Sequence, residues 1–251
     1  MTPDVLSLFD AQMRADPPVV GGALIERTGS VVRSVGLWNI VLFWDRDTRD
    51  PRSLVEAPAE AARENGLPLE WKLYSHDGPE GLATVLRDEQ FVPDAPETLM
   101  AFDLAERLSE AAPRDGFEIR NVVDDRGVRD HIAVSSAAFG EDLASRTDTY
   151  VRSLGDPTLA LYVAYLHGEP VSCGRLQRPA DRAFASLWGG ATAPHHRGQG
   201  IYRALVAFRA NIARQHGYRY LTIDARETSR PILARLGFVP LSGVTAWMLR
   251  A

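Results

Sequence analysis

The alternation of apolar and polar residues is clearest in the second half of the chain, where it predicts a complete set of elements. Phe117–Val122 alternates as a strand, and two helical stretches follow over about Arg126–Ala138 and Asp142–Leu154. Leu159–Leu166 and Pro170–Leu176 read as the two strands of a hairpin closed by the turn His167-Gly168-Glu169. Phe184–Ala193 is a further strand, and Pro194–Gly200 is a loop rich in glycine and basic side chains. From Ile201 to His216, Leu205, Val206, Phe208, Ile212 and Ala213 recur at helical spacing, and Gly217 stands where helices stop. Tyr218–Asp224 predicts a strand. Thr228–Leu236 predicts a short helix opened by Ser229 and Pro231, and Val244–Leu249 a final strand.

The order of these elements, with a glycine loop between a strand and a long helix, resembles the GNAT-type N-acetyltransferase superfamily from about Phe117 to Ala251. The motif R-x-x-G-x-G/A stands as Arg197-Gly198-Gln199-Gly200-Ile201-Tyr202, with Pro194 before it and Arg203-Ala204-Leu205 opening the helix. A second match is Ser229-Arg230-Pro231-Ile232-Leu233 leading to Leu236-Gly237-Phe238. The resemblance implies a mixed, mostly antiparallel sheet flanked by helices, an α/β (α+β) fold, and acetyl-CoA as acyl donor, with no metal. It places the pyrophosphate at the loop and the pantetheine arm along Ala191-Thr192-Ala193. Gly189-Gly190 just upstream would mark a bulge that opens the slot. The implied cofactor-binding set is Ala191, Thr192, Ala193, Arg197, Gly198, Gln199, Gly200, Ile201, Tyr202 and Arg203.

The physical case for the loop is independent of the resemblance. A helix N-terminus offers free amides and the positive end of its dipole to a phosphate, and glycines let backbone approach it. A glycine turn that merely joins strand to helix is the bland alternative. A dinucleotide-binding fold fits poorly, because no repeated βαβ pattern or G-x-G-x-x-G follows the first strand.

Two positions depart from the family pattern. Tyr202 replaces Gly or Ala, so its side chain must turn from the cofactor or cover it. Leu233 stands where many relatives carry a tyrosine proposed as proton donor. The stretch Ser186-Leu187-Trp188-Gly189 holds none of the carboxylates that relatives use there to deprotonate the amine. His195 and His196 are candidate bases by their titration range, though surface charge support is the simpler role. Asp224, Glu227, Glu141 and Asp142 are candidates for caps, solvated charges or acceptor contacts, and no general acid or base is assigned. Trp188 and Trp247 suit core or cleft wall, and Cys173 a small buried apolar role.

The first half echoes the second. Leu37-Trp38 resembles Leu187-Trp188, Ala62-Arg63-Glu64-Asn65-Gly66 resembles Ala213-Arg214-Gln215-His216-Gly217, and Phe91-Val92-Pro93 resembles Phe238-Val239-Pro240, at nearly constant separation. This ordering suggests a tandem duplication with a degenerate N-terminal copy. The expected domains are 1–110 and 116–251, joined by a linker around Leu108–Asp115. The counterpart of the phosphate loop, Asp45-Arg46-Asp47-Thr48-Arg49-Asp50, has no glycine and three acids, so the first half is expected to bind no CoA. Its apolar runs Leu37–Trp44, Leu69–Tyr74 and Leu99–Leu104 still predict strands.

Composition adds exclusions. The chain is 45% apolar and 24% charged, ordinary for a globular protein, and its net charge of −5 gives no general case for nucleic acid. No apolar run approaches the roughly 18 residues that span a bilayer. The opening MTPDVLSLFDAQMRADPP carries acids ahead of any apolar stretch, unlike a secretory leader, so a cytoplasmic location is expected. One cysteine allows no internal disulfide. The expected partner is a small-molecule or protein amine, with neither nucleic acid nor membrane, and a homodimer is compatible with the chain. Acetyl transfer and CoA binding without turnover both remain open, as does a longer acyl donor.

Overall fold

The computed structural model describes residues 5–36, 38–108 and 115–250. They form two compact units. One takes the described residues up to Met100 together with Asp224–Arg230 and the chain from Pro240 onward. The other takes Ala101–Ile223 and Pro231–Val239. Most of the expected linker, residues 109–114, lies outside the described residues, as does Leu37.

In the first unit, α1 (Val5–Phe9) runs into a π-helical turn, Asp10–Ala15. Strands β1 (Leu24–Thr28), β2 (Val31–Val35) and β3 (Ile40–Phe43) follow as antiparallel neighbours, Leu24 opposite Val35 and Ser34 opposite Ile40. Helix α2 (Arg52–Glu64) then crosses to β4 (Leu69–Tyr74), which lies parallel to β3 with Val41 opposite Trp71. Leu54, Val55, Pro58, Ala59 and Ala62 bury one face of α2 at helical spacing. After α3 (Leu82–Asp88) come the short β5 (Val92–Pro93) and β6 (Glu97–Asp103). The last strand of the chain, β12 (Val239–Leu249), pairs antiparallel with β4, Leu249 opposite Leu69 and Val244 opposite Tyr74. Trp44, Trp71, Leu86, Phe91, Trp247 and Leu249 share this unit's core, so the C-terminal strand is part of it.

In the second unit, β7 (Phe117–Asn121) precedes α4 (Asp125–Phe139). Asp124 caps α4 by accepting from the Gly127 amide at 2.8 Å, and Gly140 ends it in the left-handed conformation. The expected second helix is shorter than its pattern: a 3-10 turn at Ala144–Arg146 leads into α5 (Thr147–Arg152). Asp142 accepts from the Ala144 amide and fixes that turn. Strands β8 (Leu159–Leu166), β9 (Glu169–Gln177) and β10 (Phe184–Thr192) are successive antiparallel neighbours, with β7 on the far side of β8. Helix α6 (Ile201–Gln215) crosses to β11 (Tyr220–Arg226), parallel to β10. The short α7 (Arg230–Arg235) follows. Each unit is thus mixed and mostly antiparallel, with helices against the sheet.

The two units repeat one plan. The run β1-β2-β3-α2-β4 has the strand directions of β8-β9-β10-α6-β11: two antiparallel steps, then a helical crossover to a parallel strand. Both crossover helices end on a left-handed glycine, Gly66 (φ 61°) and Gly217 (φ 83°). Those glycines close the matching segments Ala62–Gly66 and Ala213–Gly217.

Candidate acyl-donor site

The site residues named from the sequence all fall in the second unit, on β10, the loop after it and the first turn of α6. On the β11 side, the parallel register of β10 runs from Phe184 to Leu187, opposite Tyr220 to Ile223. On the β9 side it continues to Thr192, with a shift between Trp188 and Ala191. Gly189 and Gly190 oppose the single residue Gly174 there, which makes the expected bulge. Gly189 has a φ of 56°, a conformation that suits glycine.

Beyond the bulge the strand is pinned from one side. The Ala193 amide donates to Val171 O at 2.9 Å, and Ser172 Oγ donates to Ala191 O at 2.6 Å. Thr192 Oγ1 stands 3.0 Å from Ser172 Oγ. A 3-10 turn at Pro194–His196 then leads to Arg197. Its guanidinium is a strap: Nε donates to Thr192 O at 3.2 Å and Nη2 to Ala138 O at 2.8 Å, at the end of α4. Arg197 therefore ties the loop to two carbonyls as well as adding charge.

Gly198 and Gly200 have φ of 74° and 80°, which a side chain would strain. A Cβ on either would meet nothing within 4 Å, so the space beside both is open. Gly200 is the N-cap of α6 and places no side-chain oxygen on the amides of the first turn. Ile201 anchors that turn in a small core with Ala164 and Val171. Tyr202 lies back along the strand, since a Cβ on Gly190 would stand 2.9 Å from its Cε2. It covers the bulge rather than the loop. Gln199 and Arg203 are exposed, and Gln199 Nε2 donates to His195 O at 3.4 Å.

The first unit's counterpart loop differs at the decisive atoms. Asp50 accepts from the Arg52 amide at 3.0 Å and Asp45 from the Asp47 amide at 3.0 Å, and Pro51 has no amide hydrogen. A carboxylate, that of Asp50, occupies an amide at the start of α2, where α6 carries no side-chain cap.

The remaining candidates separate. His195 is exposed, and His196 Nε2 stands 3.5 Å from Glu169 Oε1. Glu227 is exposed beside Arg230, and Glu141 is exposed. Asp224 is buried against Lys72 in the first unit, so its carboxylate is already paired. Leu233 is fully buried and offers no proton. Gly237, at φ 94°, lets Phe238 pack 5.3 Å from Phe102. Cys173 is buried beside Ser135, and burial pushes its thiol up to about 11. Trp247 joins the first unit's core. Arg209 is fully buried on α6 although it is a cation, and its spacing from Leu205 and Ala213 puts it on the buried stripe. No helix among the described residues is long and apolar enough to cross a membrane.

Comparisons with known proteins agree with this geometry. Residues 129–238 match the Acetyltransferase (GNAT) family. A GCN5-related N-acetyltransferase from Kribbella flavida superposes with a TM-score of 0.68 at 18% identity, covering 91% of this chain and 90% of that one. A functionally unknown conserved protein from Staphylococcus epidermidis gives 0.68 at 14% identity over 98% of both chains. A tandem GNAT protein from the clavulanic acid biosynthesis pathway gives 0.61 at 16% identity, covering 97% of this chain and 92% of that one. No curated protein matches the chain. The loop and the bulge both fall within residues 129–238, the stretch that is similar to the GNAT acetyltransferase family.

Proposed function

We propose that the protein is an N-acetyltransferase that moves an acetyl group from acetyl-CoA directly to a primary amine of a small molecule or protein. One observation carries the reading: the uncapped N-terminus of α6 stands behind two left-handed glycines, directly after a strand whose parallel pairing stops at a bulge. The donor set fits a pyrophosphate, with amides of the first turn, open space at Gly198 and Gly200, and basic side chains at Arg197 and Arg203. Ala191-Thr192-Ala193 would take the pantetheine arm by backbone hydrogen bonds, and small side chains suit close approach. Bound acetyl-CoA supplies the activated acyl group, and the chain's part is to hold it and orient the amine. The setting would be cytoplasmic, with one donor site per chain in a catalytic domain of about 116–251. The first half, to about residue 110, would be a degenerate copy that supports it.

A second reading, a CoA-binding module without turnover, is favoured by Leu233 and by the lack of a carboxylate in Ser186–Gly189. Thiol release from acetyl-CoA with a panel of amines supports the enzyme, and CoA binding without turnover supports the module. Gly200→Glu would bring a carboxylate to the cradle in a strained conformation and should abolish CoA binding in a folded protein. Unchanged CoA affinity in that variant would refute the loop assignment.

A further inference from the structure

The bulge of β10 is backed by cations on both faces, since successive strand residues point to opposite sides of a sheet. A Cβ on Gly189 would stand 3.6 Å from Arg175 Nε, and one on Gly190 3.4 Å from Arg209 Nη2. Gly189 is exposed and Gly190, which Tyr202 covers, is half-buried, whereas Arg175 is 7% and Arg209 0% exposed. Each guanidinium therefore lies close behind backbone that carries no side chain.

Arg209 rises from the buried stripe of α6. Its Nε donates to Leu205 O at 3.2 Å and Nη1 to Arg175 O at 2.9 Å, while Nη2 is buried with no acceptor among the described residues. No carboxylate pairs with Arg209 among the described residues. Tyr202, Tyr162 and Cys173 surround it, and Arg175 adds a like charge. Burial pulls Arg209 down to about 10, so it stays protonated at neutral pH. Arg175 Nη1 donates to the Tyr150 hydroxyl at 3.0 Å, with Arg146 nearby. His131 adds no charge, because burial and the two guanidiniums push it down to about 3. Arg209, buried with no paired carboxylate among the described residues, favours any negative charge that arrives beside it.

We propose that the Gly189–Gly190 bulge is a thiolate-stabilising site, in which Arg209 and Arg175 hold the charge of the departing CoA sulfur. This rests on the CoA assignment above: an arm lying along Ala193 to Ala191 meets the bulge next. Arg209 and Arg175 are positioning residues that act through the bulge backbone. They offset the charge that sulfur gains when its bond to the acyl carbon breaks and the electron pair stays on sulfur. The amine nitrogen bonds to that carbon and gives its surplus proton to water, and water protonates the thiolate on release. No side chain need donate a proton, which is compatible with a buried leucine at position 233.

The test uses the full chain and free CoA. Calorimetry first measures binding, and ultraviolet thiolate absorbance then follows the bound thiol across pH, with the acetyl-CoA complex as blank. Cys173 titrates too high to interfere. The bound thiol should titrate at least about one unit below free CoA, a tenfold gain in thiolate at pH values below both. Arg209→Lys should keep most of the shift and Arg209→Met lose it, with the fold checked by circular dichroism. Should the methionine variant not fold, the wild-type titration decides alone. CoA bound with an unshifted thiol overturns this inference and leaves the CoA assignment standing, whereas no CoA binding overturns both.

Discussion

Lys72 and Asp224 stand 152 residues apart in the sequence and form an ion pair buried inside the first unit. Burial alone would lower the ammonium's pKa, but Asp224, with Glu70 nearby, more than offsets it and holds the group above its usual range. Removing Lys72 takes the cation from a buried carboxylate, and removing Asp224 leaves the buried ammonium with Glu70 at 4.0 Å. Asp224→Ala and Lys72→Met should each destabilise the first unit by about 3–5 kcal/mol. The double variant should cost less than the two singles together. Denaturant unfolding followed by the fluorescence of Trp44 and Trp71 checks this, and additive losses would show that the pair does not couple.

The second prediction concerns pH. His131 is buried with no partner for either ring nitrogen among the described residues; burial, with Arg175 and Arg209, keeps it neutral down to about 3, while an unfolded histidine protonates near 6.5. Unfolding therefore takes up a proton between those values, and stability falls as pH drops through that window. The slope approaches about 1.4 kcal/mol per pH unit well below 6.5. His131→Leu should flatten the melting-temperature profile between about pH 6.5 and 5, above the carboxylate range. An unchanged profile would exclude His131 as its source.

Arg197 offers a third. Its strap to Thr192 O and Ala138 O uses two nitrogens of one planar group, which an ammonium cannot reproduce. Arg197→Ala should weaken CoA by about 1–2 kcal/mol, less than Gly200→Glu, because the helix amides remain. Arg197→Lys should recover only part of the loss. Full recovery in the lysine variant would mean that charge, and not the strap, is what matters.

The fourth concerns the two loops. Asp50 fills an amide at the start of α2, and Gly200 leaves the first turn of α6 without a side-chain cap. Calorimetry should therefore find one CoA per chain, and a stoichiometry near two would refute the degenerate-copy reading. A fragment starting at Gly116 carries β12 without β4, so it should be poorly soluble or unstable. A well-behaved, fully active fragment would refute a supporting role for the first half.

Local chemistry made part of this legible. Gly189, Gly198, Gly200 and Gly237 announce themselves because their backbones need what few other residues supply, and β4 stands where its apolar pattern puts it. The β1–β2 hairpin is not legible in the sequence because Leu24–Thr28 is largely exposed and its alternation is weak. Arg209 was missed because an apolar-periodicity count skips a cation, even one on the buried stripe. The Lys72–Asp224 pair is invisible locally, since nothing near either residue points to the other. The final strand's place beside β4 is tertiary in the same way.

That last strand also sets an order of events during synthesis. The first unit's core includes Trp247 and Leu249, which the ribosome adds about 170 residues after Tyr74. Until residues 240–249 exist, β4 has an edge exposed to neighbouring chains and its apolar face incompletely covered. The unit translated first is thus the one completed last. In the cell it has to be kept from aggregating through the whole translation of the second unit.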